Sequence, residues 1–175
     1  MTIRLYHFTS FWHLPSIVKE GALTRGDVPT SFSEGFNAVW FTTEDSAKPG
    51  DHGLFSAANK TRVRIAVDFD LNDKHLYKWT DFAAKHLEPR WAASLDETGG
   101  GKAHTWYLYM CAVRLDRAVE VAVKTERGTQ YTRVPLPLKL GDFPLDGTHR
   151  TQIDDLLDEA DDAAITLDEP NHPED

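Results

Sequence analysis

Ile3-Arg4-Leu5-Tyr6-His7-Phe8-Thr9-Ser10 leads, through Phe11-Trp12-His13, into Leu14-Pro15-Ser16-Ile17-Val18-Lys19-Glu20-Gly21-Ala22-Leu23. Ile3 to Phe8 reads as a strand rich in aliphatic and aromatic residues. Thr9 or Ser10 then caps a helix running to about Glu20, with Leu14, Ile17 and Val18 on one face, and Gly21 closes it as glycine does after helix ends. The junction puts a histidine and two hydroxyls where a strand ends and a helix begins, and donors at such a junction can hold a polar ligand.

Working outward, residues 24–37 have a loop composition, and Ala38-Val39-Trp40-Phe41-Thr42 is a short apolar strand entered from it. Val63, Ile65, Val67 and Phe69 alternate with Arg62, Arg64, Ala66 and Asp68, the period of a half-buried strand. Between Leu76 and Leu95 the apolar residues recur at helical intervals, and Pro89 divides them into two short helices. Gly99-Gly100-Gly101 marks a turn, and Thr105 to Arg114 and Ala118 to Val123 read as two β segments around the turn Leu115-Asp116-Arg117. Strands that alternate and helices that cluster give an α+β fold with mostly antiparallel pairing.

The formal net charge of −9 misleads as an average. Ten of the 28 acids lie in Thr151 to Asp175, which has no Lys or Arg, so the first 150 residues hold 18 acids against 19 bases. One domain over residues 1–150 and an acidic tail over 151–175 follow, with a short amphipathic helix over Gln152 to Ala164 and disorder beyond it. The lone Cys111, in the apolar run Trp106 to Val113, excludes an internal disulfide and reads as a buried thiol in a reducing cytoplasm. The N-terminus lacks a signal-peptide run, and no apolar stretch approaches the roughly 20 residues that span a bilayer, so no membrane role is expected. Neither a Walker-type phosphate loop nor a dinucleotide fingerprint is present, because Gly99 to Gly101 does not join a strand to a helix.

The strand Leu5-Tyr6-His7-Phe8-Thr9-Ser10, the helix Leu14-Pro15-Ser16-Ile17-Val18-Lys19-Glu20-Gly21-Ala22-Leu23 and the later Ala38-Val39-Trp40-Phe41-Thr42-Thr43 resemble ADP-ribosyltransferase-fold proteins. The likeness is greatest to DarT-type DNA-modifying toxins and more distant to RNA 2′-phosphotransferases. It covers about residues 3–70 and, weakly, 106–124, and leaves 71–103 and the tail unmatched. It implies split antiparallel sheets with a cleft and flanking helices. It also implies nicotinamide adenine dinucleotide (NAD) as substrate and transfer of ADP-ribose to a macromolecular acceptor, DNA or RNA before protein. The toxin likeness leaves room for a neutralising protein partner.

By that resemblance His7, with Thr9 and Ser10, holds the nicotinamide ribose and amide. Trp40, Phe41 and Thr42 form the wall on which a planar cationic ring stacks. Breaking the N-glycosidic bond passes through an oxocarbenium-like centre, for which a carboxylate is useful. Glu120, a lone acid in Ala118-Val119-Glu120-Val121-Ala122-Val123, resembles the family's late-strand glutamate and makes a catalytic pair with His7. Glu97 and Glu126 are weaker substitutes. Plain alternation is the competing reading, since Glu120 faces solvent if Val119, Val121 and Val123 face the core.

Arg64, Arg62 or Arg25 could neutralise a pyrophosphate, although charges on a solvated sheet face are equally ordinary. His52 and His104 sit in segments that could border a cleft, but no ligand spacing marks a metal site. A binding module without turnover and an interaction protein acting through its acidic tail remain as alternatives. A chain ended after Arg150 should keep nicotinamide release if the chemistry lies in the body. A tail-driven interaction should be lost, as a pull-down with each length of chain would read.

Overall fold

A computed structural model describes residues 1–28, 36–54, 59–124 and 129–139, all within one compact unit, Met1–Phe143. The acidic tail, with its expected helix at Gln152 to Ala164, lies outside the described residues, as does Glu126.

Strand β1 (Thr2–Thr9) runs into a 3-10 turn, Phe11–His13, and then helix α1 (Leu14–Glu20). The single helix expected from Ser10 is thus broken. Pro15 has no N–H to give and sits in the first turn of α1, where that loss is harmless. Ser10 makes no cap hydrogen bond, because its hydroxyl bonds the His13 ring instead. Gly21 ends α1 at φ 65°.

Short strands β2 (Ala22–Leu23) and β3 (Gly26–Val28) follow, the latter in what the composition marks as loop, and then β4 (Phe36–Thr42). β5 (Val63–Asp70) is the expected alternating strand, with Val63, Ile65, Val67 and Phe69 all buried. β6 (Leu76–Lys78) precedes helices α2 (Trp79–His86) and α3 (Pro89–Thr98), divided just before Pro89.

The run Thr105 to Arg114 is not one strand. β7 (Trp106–Tyr109) ends at a bend where the Met110 N–H is taken by the His75 carbonyl, and β8 (Val113–Arg114) turns away to pair with β2. Cys111 falls in that bend and is half-buried rather than buried. β9 (Ala118–Val123) and β10 (Thr132–Val134) complete the described elements.

Every recorded strand pair is antiparallel. The main sheet has the order β10-β9-β5-β1-β4-β7-β6, with β3 also on β4, and β2 and β8 form a separate two-stranded ribbon. β1 pairs with β5 along its whole length, from Thr2 opposite Asp70 to Thr9 opposite Val63. With β4 it shares one registered pair, Tyr6 opposite Thr42. The expected pair of separate sheets is thus replaced by one continuous eight-stranded sheet, whose β1–β4 ladder holds by a single registered pair.

The half-sheet containing β1 and β5 buries Leu5, Ile65, Val67, Phe69 and Val121 on one face. A second core gathers Trp79, Phe82, Leu87 and Trp106 beside β4 and β7. No helix among the described residues is long and apolar enough to cross a membrane.

Gly99, just after α3, is where the second core leaves no space. A Cβ there would meet the Trp106 ring at 2.2 and 2.4 Å, although φ −83° suits any residue. Gly99→Ala should cost about 1–3 kcal/mol through overpacking alone. Urea unfolding should show an earlier midpoint with the same slope, and an unchanged midpoint would mean that the indole yields freely.

Candidate functional site

Beyond the Tyr6–Thr42 pair, β1 and β4 diverge, and a cavity of about 610 Å³ opens between them, within the range of small-molecule sites. Tyr6, His7, Phe8 and Thr9 line it from β1, and Trp40, Phe41 and Thr42 from β4. Segments carried by α1, the β2–β3 turn and α3 complete the wall. The resemblance-derived residues His7, Thr9, Trp40, Phe41 and Thr42 are brought together; Ser10 stands behind them and Arg64 elsewhere.

His7 is the residue that spans the opening. Its Nδ1 lies 2.9 Å from the Trp40 carbonyl oxygen. A carbonyl only accepts, so Nδ1 carries the hydrogen and Nε2 of the neutral ring is an acceptor. Burial is the main cause that holds the His7 pKa below its ordinary 6.5; the Trp40 bond opposes it, and the nearby Lys60 and His13 add to it. A neutral His7 therefore offers a lone pair, suited to a sugar hydroxyl.

The wall opposite is aromatic. Phe41 is buried edge-on to His7 at 5.8 Å, while the half-buried Trp40 packs at 4.9 Å from Trp79 and at 5.8 Å from Trp106. Thr42 lines the cavity, but its hydroxyl is engaged within the protein. It lies 2.8 Å from the Thr105 hydroxyl, which itself donates to the Lys102 carbonyl, and it accepts from the Glu44 N–H. Thr42 thus holds the hinge rather than offering a hydroxyl to a ligand.

Charge in the cavity is one-sided. Arg25 and Lys60 line it together with His7, His13 and His52, and no Asp or Glu is among the described lining residues. Such a cavity attracts an anion carrying planar rings. Sequence reasoning gave Arg25 as one arginine of three. Arg62 is buried, with its Nε donating to the Lys124 carbonyl and its guanidinium over Phe11.

Glu120 and Arg64 are found together, away from His7. Opposed residues in antiparallel strands share a face, so Tyr6, Ala66 and Glu120 form one row and His7, Ile65 and Val121 the row on the opposite face. Arg64 Nη2 lies 2.5 Å from Glu120 Oε1, Arg133 Nε lies 2.6 Å from Oε2, and the Arg64 guanidinium is held between Tyr6 and Tyr131. The pairing of Glu120 with His7 is thus not assembled, nor is Arg64 brought to the cavity. Simple alternation fails as well. A bulge opposite Ala66/Val67 throws Val119 outward to 46 % exposure, while Val121 and Val123 are buried.

His52 borders the cavity as expected, whereas His104 is not among its lining residues. The Trp106 Nε1–H donates to His52 Nδ1 at 2.9 Å, which puts the His52 hydrogen on Nε2, 3.2 Å from Glu44 Oε2. Glu44 in turn holds Lys102 at 2.7 Å, and Lys102 reaches Asp51 at 3.0 Å. Hydrogen bonds and charge from Glu44 and Asp51 hold the Lys102 pKa above its ordinary value against partial burial. Burial, the largest cause, lowers that of His52 although Glu44 opposes it.

No family model, curated protein or solved structure matches the chain.

Two basic lining residues, His13 and Lys60, escaped the sequence reading. His13 lies three residues after Ser10 and reaches back to it, a spacing a helical turn makes available. Lys60 precedes β5, whose antiparallel register sets its start beside the end of β1. The first signal is local, whereas the second needs the strand pairing before it can be read.

His7, His13 and His52 all have lowered pKa values, with burial as the first cause in each. The unfolded chain binds protons at these sites near pH 6.5 while the folded chain resists them. Their stabilising effect is thus complete above that pH and declines as pH falls toward the lowered values. The melting temperature should drop between pH 7.5 and 5.5, and His7→Gln should make the drop shallower. An equally steep drop in that variant would place the proton linkage elsewhere.

Proposed function

We propose that this cavity binds NAD and that the protein cleaves the nicotinamide glycosidic bond and transfers ADP-ribose to a macromolecular acceptor, with a nucleic-acid base favoured. The observation that carries the reading is a cleft at the hinge of two antiparallel half-sheets, free of carboxylates among its described lining residues, with one neutral histidine across the opening. On this reading the fold is ADP-ribosyltransferase-like.

The partners are matched by chemistry. The nicotinamide ring stacks on the Trp40 side of the wall, and His7 Nε2 accepts from a ribose hydroxyl. Arg25 and Lys60 balance the pyrophosphate. When the bond from the ribose carbon to the nicotinamide nitrogen breaks, its electron pair goes to nicotinamide, which leaves neutral. The positive charge that develops on the ribose sits near the substrate's own phosphates and the His7 lone pair. Glu120, tied to two arginines, acts in this reading as a structural anchor of the outer strands.

A second reading, a nucleotide-binding module without turnover, is favoured by the same absence of a lining carboxylate. The two separate in one experiment, in which purified protein is given NAD and both binding and nicotinamide release are measured. Release is expected from the wild type, and His7→Ala should lower it roughly tenfold or more, the value of one hydrogen bond to a buried partner. Glu120→Gln should melt earlier yet release nicotinamide at the wild-type rate. Binding without release would favour the module, and loss of release in a folded Glu120→Gln would return that carboxylate to the chemistry.

A further inference from the structure

We propose that His13 is the general base of the transfer, taking the proton from the acceptor group that attacks the ribose carbon. This rests on the NAD reading of the same cleft and adds to it the residue that receives the acceptor's proton.

The cleft needs such a group and has few candidates. No carboxylate is among the described lining residues, and Glu120 lies outside them with its oxygens taken by Arg64 and Arg133. His52 has Nδ1 engaged by an obligate donor, the Trp106 indole, which leaves the hydrogen of the neutral ring on the buried Nε2, so its neutral ring has no lone pair to offer. His7 has a lone pair, but it stands inside the cleft between Trp40 and Phe41, where the dinucleotide itself must lie.

His13 differs in both respects. It lines the cavity yet is exposed, so it stands at the rim where a large acceptor arrives. Its Nδ1 lies 3.0 Å from the hydroxyl of Ser10, which is only 2 % exposed and so is held firmly under the ring. A hydroxyl can accept as well as donate. With Nδ1–H donating to Ser10, Nε2 presents its lone pair, and after Nε2 takes a proton the same Nδ1–H bond persists. The ring gains charge without losing its support, which is what a base that works by repeated protonation requires.

The step balances without a co-reactant. The bond between the ribose carbon and the nicotinamide nitrogen breaks with its pair going to nicotinamide. A lone pair of the acceptor nitrogen or oxygen forms the new bond to that carbon. The acceptor's proton passes to His13 Nε2 and from there to water. Partial burial and the charge of Lys60 keep His13 neutral near pH 7, and His7 is the other titratable group that senses it. Ser10 is a positioning residue in this scheme, acting only through His13.

The test uses the full chain with NAD, in water alone and with single-stranded DNA and RNA oligonucleotides, read as nicotinamide release and added ADP-ribose mass from pH 5 to 8. The wild-type kcat should fall as pH drops below about 6.5, the ordinary histidine value, because His13 titrates below it. His13→Gln should lower kcat roughly a hundredfold and abolish that limb, while leaving the KM for NAD and the melting temperature at pH 8, above the histidine range, unchanged, since the residue is exposed. Added imidazole should restore part of the rate. Ser10→Ala should lower kcat less and keep the limb.

A His13→Gln variant with wild-type kcat and pH profile overturns the assignment and leaves the NAD reading intact. A wild type that binds NAD without release also overturns the assignment and leaves a binding module. A wild type that does not bind NAD overturns both.

Discussion

The cavity exists because the ladder between β1 and β4 stops after a single registered pair. Had it continued, the strands would lie about 4.8 Å apart and leave no space for a ligand. An opened ladder leaves backbone groups without partners, and the imidazole of His7 supplies a donor for one of them, the Trp40 carbonyl. The same bond that repairs the opening sets the tautomer of the residue facing the cavity. Structure and chemistry are joined in one contact, so changing His7 disturbs the hinge as well as the site. The Thr42–Thr105 hydroxyl pair secures the hinge from the other side, where β4 runs into the Glu44 network.

Three histidines meet this cavity, and their hydrogen-bond partners give them different properties. Carbonyl, hydroxyl and indole N–H are respectively an acceptor, a group that is either, and a donor. His7 against the Trp40 carbonyl and His13 against Ser10 keep their bond in both charge states. His52 does not, because a protonated Nδ1 would face the Trp106 N–H. Proton uptake at His52 therefore works against the second core, to which Trp106 belongs. Glu44 and Asp51 favour that uptake, and burial and Lys102 oppose it. The resulting neutral ring agrees with its role as a filler between Phe8 and Trp106.

How much of this was legible depended on whether a feature is local. β1, β5, β9, the closing Gly21 and the break at Pro89 follow from period and turn chemistry within a few residues. The break of the expected helix before Leu14 and the bend after Tyr109 were less legible. In the first, an apparent cap was drawn to a ring three residues on, and in the second, an apolar run was interrupted by a carbonyl 35 residues earlier in the chain. The cleft shows the same limit. His7, Thr9 and the Trp40–Thr42 wall were found because each stretch carries its own pattern, whereas Lys60 joins them only through the register of β5 on β1.

Glu120 shows why a pattern match on a strand must be carried through to its parity. A residue's face is decided by its register with every strand between it and the site, and an odd offset reverses it. Across β1, β5 and β9 the rows run Tyr6–Ala66–Glu120 and His7–Ile65–Val121, so an acid one position later would have shared the face of His7. That face is occupied by Val121 and Val123, both buried against the core, where a carboxylate would lose hydration without a partner. The opposite face supplies two guanidinium groups and two aromatic rings, which an acid at Glu120 completes. The packing that stabilises the half-sheet thus keeps an acid from the His7 row of β9, and any chemistry in the cleft falls to neutral histidines and to the charge the ligand brings.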